Sequence, residues 1–248
     1  MSPDIRMKIA AFDLETAEEV PEDSRDRIMH GGLGITCAAV AFSDTDQVLT
    51  GYGIPRMPPE KCRGLVRQLE RLTSEGYTLM TWNGCGFDFA VLAQESGMRV
   101  ECGELAMNHV DLMFHVMCEK GWRLSLEKAL QGAGLEGKRK SVVLSDGRRI
   151  DDLKGAMAPS LWRAGEKKAV LSYLRGDVVQ LLKLARSVMQ TKSIRWTSNS
   201  GRPQSVRVDA LLTVRHCLRI PEPDVSWMDA PPSREEFVNW IPNWPRYL

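Results

Sequence analysis

Acidic residues near the start of the chain have the spacing of a candidate metal site. Asp13 and Glu15 lie in Phe12-Asp13-Leu14-Glu15-Thr16, at the end of a predicted strand. Strand side chains alternate between faces, so both carboxylates point to one face, about 6.6 Å apart along the strand. Two carboxylates crowded at the end of a buried strand repel each other and are costly to desolvate, and a hard cation such as Mg²⁺ relieves that cost. Two solvated acids at a surface-facing strand end are the alternative.

A second acidic position follows the next buried strand. Asp88 ends the run Trp82-Asn83-Gly84-Cys85-Gly86-Phe87-Asp88, in which a strand leads into a turn and then into a helix. The residue therefore falls in the first turn of that helix. The helix dipole favours a carboxylate there whatever the function, so this position alone does not decide between capping and chemistry. We assign Trp82 to the core.

A third acidic position lies late in the chain, in Tyr173-Leu174-Arg175-Gly176-Asp177. In a helix, Tyr173 and Asp177 are four residues apart and share a face. That face is otherwise apolar, and a buried unpaired aspartate is unfavourable. Either a metal ion or a partner such as an arginine or a backbone N–H must therefore satisfy Asp177.

These three motifs, in this order, resemble the DEDD exonuclease superfamily, which has an RNase H-like fold. They are most similar to its tyrosine-bearing branch (DEDDy), which includes proofreading domains of DNA polymerases and RNase D-like enzymes. The resemblance covers roughly residues 8–189. A histidine-bearing member would carry His at about Ser172, so the tyrosine branch fits better. Leu174 departs from relatives that often carry Cys after the tyrosine, and we expect little chemical consequence.

The resemblance implies a two-metal 3′–5′ exonuclease acting on DNA or RNA and releasing nucleoside 5′-monophosphates. It implies that two Mg²⁺ or Mn²⁺ ions are held by the four acids, Asp13, Glu15, Asp88 and Asp177. Tyr173 would then orient the attacking water. Substrate contacts are expected from Thr16, Asn83 and Phe87, although core packing explains Phe87 equally well. The alternative is a nucleic-acid-binding module or a partner-docking subunit that keeps the fold without catalysis.

Charge is distributed unevenly, although the formal net charge is only +1. Residues 1–60 carry eleven acidic and five basic side chains, and residues 138–219 carry eighteen basic and six acidic ones. The basic stretch predicts a surface that holds a polyanion, while solvated helix faces are the ordinary explanation. Candidates for phosphate contacts are the connector residues Lys138, Arg139 and Lys140, with Arg148 and Arg149.

Three further polar residues are weaker candidates. Asp111, in His109-Val110-Asp111-Leu112-Met113, is either a helix N-cap or a group that supports the acidic site. We interpret His109 and His115 as structural histidines rather than metal ligands.

The order of predicted elements indicates the fold class. Strands are predicted over 8–14, 33–42, 47–54 and 78–82, and the longest helix over 166–189. This order gives an α/β fold with a mixed sheet flanked by helices. We expect an exonuclease domain over 1–190 and a C-terminal extension over 191–248, comprising a hairpin at 196–208 and a Pro- and Trp-rich tail. The tail either packs on the domain or docks to a protein partner through Trp227, Trp240 and Trp244.

Composition excludes several classes of protein. The 248 residues are 43% hydrophobic and 26% charged, which is typical of soluble globular chains and not of collagenous, disordered or coiled-coil ones. No run approaches the roughly 18 apolar residues that span a bilayer, and the first residues do not have a signal-peptide pattern. Six cysteines without C-x-x-C spacing predict reduced thiols and a cytoplasmic protein.

Overall fold

A five-stranded mixed sheet forms the centre of the molecule. The structure is a computed structural model that describes residues 7–20, 32–45, 47–137, 141–151 and 153–247. The strand order is β3-β2-β1-β4-β5. Neighbouring strands β1, β2 and β3 pair antiparallel, whereas β4 is parallel to β1 and β5 to β4. The strands are β1 (Lys8–Thr16), β2 (Ile35–Phe42), β3 (Val48–Tyr52), β4 (Tyr77–Thr81) and β5 (Val110–Asp111).

The central strand β1 is covered on both faces, which explains its nearly continuous apolar sequence. Ala10 and Phe12 contribute to the core on one side of the sheet, and Ile9 and Ala11 to the core on the other side. Because side chains alternate, the odd-numbered face of this strand continues from Ala11 to the two acids at its end. The side chains of Asp13 and Glu15 therefore lie on the face of β1 that packs against the second core, the one that contains Ile9 and Ala11.

Helices cover both faces of the sheet, which confirms the predicted α/β class. The first core is built by α1 (Pro59–Ser74), α2 (Asp88–Ser96) and α3 (Arg99–Asn108). Helix α4 (Leu112–Lys120) contributes to both cores. The second core is built by α5 (Leu126–Gly132), α6 (Ala158–Arg163) and the 25-residue α7 (Lys167–Thr191). The remaining described elements are the hairpin strands β6 (Val142–Val143), β7 (Arg149–Ile150), β8 (Ser193–Thr197) and β9 (Pro203–Arg207), the short helices α8 (Val214–Cys217) and α9 (Glu235–Val238), and the 3₁₀ turns Gly155–Met157 and Trp244–Tyr247.

The sequence pattern missed α3 and α6 and misplaced some boundaries. Helix α3 has buried residues on several sides, among them Cys102, Leu105 and Met107, so its sequence has no single apolar stripe. Strand β1 continues to Thr16, two residues beyond the predicted end, and the last hairpin begins at Ser193 rather than Trp196. No helix in the described part of the chain is long and apolar enough to cross a membrane.

The C-terminal tail packs along α2, α3 and α4. Phe237, Trp240 and Tyr247 are buried within the first core, whereas Trp227 is 69% exposed. The Arg234 guanidinium fixes this tail, because it donates to the backbone carbonyls of Cys118, Leu218, Ile220 and Pro221. The division of the chain at residue 190 stays a prediction.

Replacing Arg234 with lysine should lower the free energy of unfolding by about 2 kcal/mol. A single ammonium group cannot reach four separate carbonyls, and buried acceptors left without donors are costly. Urea denaturation checks this value. The matched control is the exposed Arg219→Lys variant, which should stay within about 0.5 kcal/mol of the parent protein. Equal midpoints for both variants would show that the guanidinium contributes nothing specific.

Candidate active site

Two carboxyl groups meet at the end of the central strand. Asp13 lies near the end of β1, and Asp88 is the first residue of α2, where it was predicted. Asp88 Oδ1 accepts the backbone N–H of Leu14 at 3.1 Å, and its carboxyl group is hydrogen-bonded to that of Asp13. Asp88 is only 3% exposed. Burial, followed by the negative charge of Asp13, raises the pKa of Asp88 well above its usual range. Two negative charges at this position are therefore unfavourable.

Glu15 lies beyond this pair on the same strand. It is buried and is paired in register with Cys37 of β2. Burial, and then the charge of Glu15, raises the pKa of the Cys37 thiol, which keeps this thiol protonated. Thr16 follows at a register shift in the ladder, and its hydroxyl donates to the carbonyl of Glu18 at 2.8 Å. This hydroxyl thus shapes the end of the strand, and its predicted substrate contact stays a prediction.

Tyr173 and Asp177 lie on the buried side of α7, which packs across β1 and β2. Their side chains are 2% and 1% exposed. The Tyr173 hydroxyl lies beside Gly155, 3.9 Å from where a Cβ on that glycine would stand. The structure therefore places both residues in the layer that receives Asp13 and Glu15. Among the described residues, however, no group of three or more His, Cys, Asp or Glu side chains is arranged to hold a metal ion.

The donor chemistry of the Asp13–Asp88 pair fits a hard divalent cation. Both residues offer carboxylate oxygens, the ligand type that Mg²⁺ and Mn²⁺ prefer. The raised pKa of Asp88 is consistent with a cost for two uncompensated negative charges here. A divalent cation would supply a compensating positive charge.

Asp111 holds the turn that leads to Asp88. Its carboxylate is fully buried and accepts three backbone N–H groups, from Asn83 at 2.9 Å, Cys85 at 3.0 Å and Phe114 at 3.1 Å. The bond from Phe114 is an N-cap of α4, as predicted. The other two bonds fix the turn between β4 and α2. Asp111 is thus both a cap and a support of the candidate site.

The glycines of this turn are required by close approaches. A Cβ on Gly84 would lie 2.3 Å from Thr81 Oγ1, and one on Gly86 would lie 2.7 Å from Cδ1 of Phe237. Asn83 has a left-handed backbone, with φ of 73°, and its side-chain oxygen is buried without a hydrogen bond in the described structure. Phe87 is partly buried against the first core. Substrate contacts by Asn83 and Phe87 stay predictions.

The C-terminal tail supports the same turn, which the sequence pattern did not reveal. Trp240 Nε1 donates to the carbonyl of Cys85 at 2.8 Å, and Cys85 Sγ lies 3.4 Å from the carbonyl of Phe237. These residues are more than 150 positions apart in the chain. The only available signal was the density of tryptophans in the tail, which does not identify what they contact.

The basic connector is described only in part. Lys138, Arg139 and Lys140 lie outside the described residues. Arg148 and Arg149 are exposed and form ion pairs with Asp146 and Asp151. A phosphate would have to compete with these carboxylates.

The two candidate histidines are buried. His109 is in hydrogen-bond contact through both ring nitrogens, with the carbonyl of Ala106 at 2.6 Å and with Thr81 Oγ1 at 2.8 Å. Burial lowers its pKa, so the ring is neutral near pH 7 and serves the structure. His115 is 4.0 Å from Glu119, but burial outweighs this weak attraction and lowers the pKa of His115 to about 4.

Stability should fall as the pH is lowered from about 6.5 to about 4, in part because of His115. In this window the unfolded chain takes up a proton on this residue, and the folded chain with its lowered pKa does not. The linkage amounts to at most about 3 kcal/mol. Urea unfolding at several pH values should show a flatter profile for His115→Gln. Equal slopes for the parent protein and His115→Gln would contradict the assignment.

Comparison with known families decides which fold this is. The family model of the RNase H superfamily matches residues 12–189, from within β1 to the last turn of α7. The chain belongs to the RNase H superfamily. This membership confirms the predicted RNase H-like fold, with its mixed sheet flanked by helices.

Several solved structures resemble this RNase H superfamily chain at low identity. A product-bound exonuclease I is 14% identical with a TM-score of 0.38, and the match covers 74% of this chain and 43% of that one. Exonuclease I from Methylocaldum szegediense is 15% identical with a TM-score of 0.32, and the match covers 74% of this chain and 40% of that one. E. coli exonuclease I in complex with a 5cy-dT13 oligonucleotide is 14% identical with a TM-score of 0.34, and the match covers 75% of this chain and 41% of that one. The chain thus matches less than half the length of these proteins. No curated protein sequence matches it.

Proposed function

We propose that this RNase H superfamily protein is a metal-dependent 3′–5′ exonuclease of the tyrosine-bearing branch. It would shorten DNA or RNA from the 3′ end and release nucleoside 5′-monophosphates. The observation that carries the proposal is the carboxyl pair of the partly buried Asp13 and the buried Asp88 at the end of the central strand. Two neighbouring carboxylates without a compensating positive charge destabilise a fold, and a divalent cation would supply that charge.

Each acid has a proposed part in holding Mg²⁺ or Mn²⁺. Asp13 and Asp88 would bind first, since their carboxyl groups already meet. Glu15 and Asp177 face the same core layer as Asp13 and would complete the shell together with phosphate and water. When bound, a pair of divalent cations activates water and stabilises the leaving 3′-oxygen.

The other residues of the site would orient the reactants. A phenol is a poor base at neutral pH, so Tyr173 is assigned to positioning the attacking water rather than to removing its proton. Asn83 would hydrogen-bond the terminal nucleotide and Phe87 would pack against its base. Asp111 has no contact with reacting atoms in this scheme. It keeps the turn between β4 and α2 in place.

The experiment is degradation of a 5′-labelled oligonucleotide with Mg²⁺ or Mn²⁺. A ladder that shortens from the 3′ end should appear and should be abolished by EDTA. Matched single-stranded DNA, single-stranded RNA and duplex substrates identify the preferred polymer. Intact substrate with both metals would contradict the proposal.

A second candidate function is nucleic-acid binding without hydrolysis. It is favoured by the finding that, within the described ranges, no three acidic, histidine or cysteine side chains are arranged as metal ligands. Oligonucleotide binding that persists in Mn²⁺ without turnover would support this candidate over the exonuclease.

A further inference from the structure

A long basic stretch follows Asp177. No acidic residue occurs between Asp177 and Asp209, whereas six basic residues do: Lys183, Arg186, Lys192, Arg195, Arg202 and Arg207. The last four lie in or beside the β8–β9 hairpin, beyond the residues that the RNase H superfamily model matches. The hairpin therefore lies outside the part of the chain that the family model matches.

One face of the hairpin anchors it to the domain. Ile194, Trp196 and Val206 point inward and are buried in the second core. The Trp196 ring packs edge-on against Trp122, with ring centroids 5.4 Å apart. Strand β8 approaches so closely that a Cβ on Gly132 of α5 would lie 1.9 Å from the carbonyl oxygen of Arg195. Close packing of this kind gives the hairpin a fixed position.

The opposite face of the hairpin is polar and cationic, and the turn that joins its strands carries the exposed Arg202. Register places Ser193 opposite Arg207 and Arg195 opposite Ser205. Arg207 forms an ion pair with Asp209 at 2.8 Å. Arg195 donates to the hydroxyl of Ser193 at 3.1 Å. In the ranges that the structure describes, no carboxylate lies at ion-pair distance from the exposed Lys192, Arg195 and Arg202.

The tip of the hairpin is connected to the side of the sheet that carries the candidate site. Lys128 Nζ of α5 donates to Asn199 Oδ1 in the tip at 2.6 Å. The segment that enters α5 is in turn held beside the end of β4, because Trp82 Nε1 donates to the carbonyl of Leu124 at 3.1 Å. The turn with Asp88 follows Trp82 directly. The hairpin turn is therefore linked, through α5 and Trp82, to the turn that carries Asp88.

We propose that the outward face and the connecting turn of the β8–β9 hairpin bind the phosphate backbone of a nucleic-acid strand, away from the candidate active site. The choice of nucleic acid as the polyanion rests on the proposed function. Guanidinium groups beside hydroxyls fit phosphate oxygens. The face presents no exposed large apolar side chain, so it does not fit the core of a protein interface. Phosphate contacts of this kind position a strand without reading its sequence.

The test compares two double variants with equal loss of charge. Arg195→Gln/Arg202→Gln alters the hairpin, whereas Arg67→Gln/Arg71→Gln alters exposed arginines of α1 on the opposite side of the sheet. Binding of fluorescent oligothymidylates of about 20 and about four nucleotides is measured by anisotropy in EDTA, which prevents hydrolysis. For the longer probe, the hairpin variant should bind about tenfold more weakly than the control. Its log–log salt slope should be smaller by about 1.4.

The short probe locates the effect and separates the two proposals. It should bind both variants equally, because it would not reach from the site to the hairpin. Equal affinities of both variants for the longer probe, equal losses for both probes, or no binding of the longer probe by the parent protein would each overturn the inference. Degradation is measured separately with Mg²⁺. Hairpin-dependent binding without degradation would contradict only the exonuclease proposal. Degradation with hairpin-independent binding would contradict only this inference.

Discussion

Asp88→Asn should abolish phosphodiester hydrolysis while making the metal-free protein more stable. The amide keeps the acceptor for the Leu14 N–H and can donate to Asp13, so the fold is retained. It cannot supply the charge that a divalent cation requires. We expect kcat/KM to fall by about 10³-fold, since the charge stabilisation at stake is worth several kcal/mol.

The expected gain in stability follows from the raised pKa of Asp88. Above the ordinary pKa of an aspartate, the folded state must hold a proton that the unfolded chain releases, so stability falls as the pH rises through that region. An asparagine does not carry this cost. In EDTA at pH 7 the Tm should rise by about 2–4 °C, the equivalent of about 1 kcal/mol in a chain of this size.

A matched exposed variant separates the site from general charge effects. Asp229→Asn removes a carboxylate at the surface and should change neither the Tm nor the activity. Calorimetry in EDTA and the ladder assay in Mg²⁺ give the two readouts. Full activity in Asp88→Asn would show that this carboxylate is not needed for hydrolysis. A lowered Tm would show that the carboxyl pair does not destabilise the metal-free fold.

Asp111→Asn should destabilise the protein by about 3–4 kcal/mol. An amide has a single acceptor oxygen, whereas Asp111 accepts three N–H groups on two oxygens. At least one buried N–H is left facing another donor, which costs the desolvation energy of that group and the loss of a charge-assisted bond. Because the turn before Asp88 would shift, activity measured well below the Tm should also fall, by about 10- to 100-fold.

The control for Asp111 is an ordinary helix cap. Ser125 caps α5 by accepting the N–H of Lys128 at 3.3 Å and is exposed. Ser125→Ala should cost about 0.5–1 kcal/mol and leave activity unchanged. If Asp111→Asn lost no more stability and no more activity than this variant, Asp111 would be a cap and nothing else.

The sequence was sufficient for strands β1 to β4, the long helix and the position of Asp88, because local patterns determine these features. The apolar run of β1 and the shared face of Tyr173 and Asp177 are set by periodicity alone. Helix α3 was missed because burial on several sides removes the stripe that periodicity detects.

The support of the site could not be predicted from local patterns, because it depends on contacts between distant parts of the chain. Asp111 was recognised as a possible cap, but its bonds to Asn83 and Cys85 follow from the parallel pairing of β4 with β5. The contact of Trp240 with Cys85 spans 155 residues. Neither spacing nor residue type indicates such a partner.

That long-range contact has a consequence for how the protein is made. The turn that leads to Asp88 is held in part by contacts with Phe237 and Trp240. A polypeptide growing on the ribosome cannot form these contacts until both residues have been synthesised. Domains begin to fold during synthesis, at about 5–20 residues per second. The candidate active site would therefore reach its final structure only after the sheet that carries it has formed.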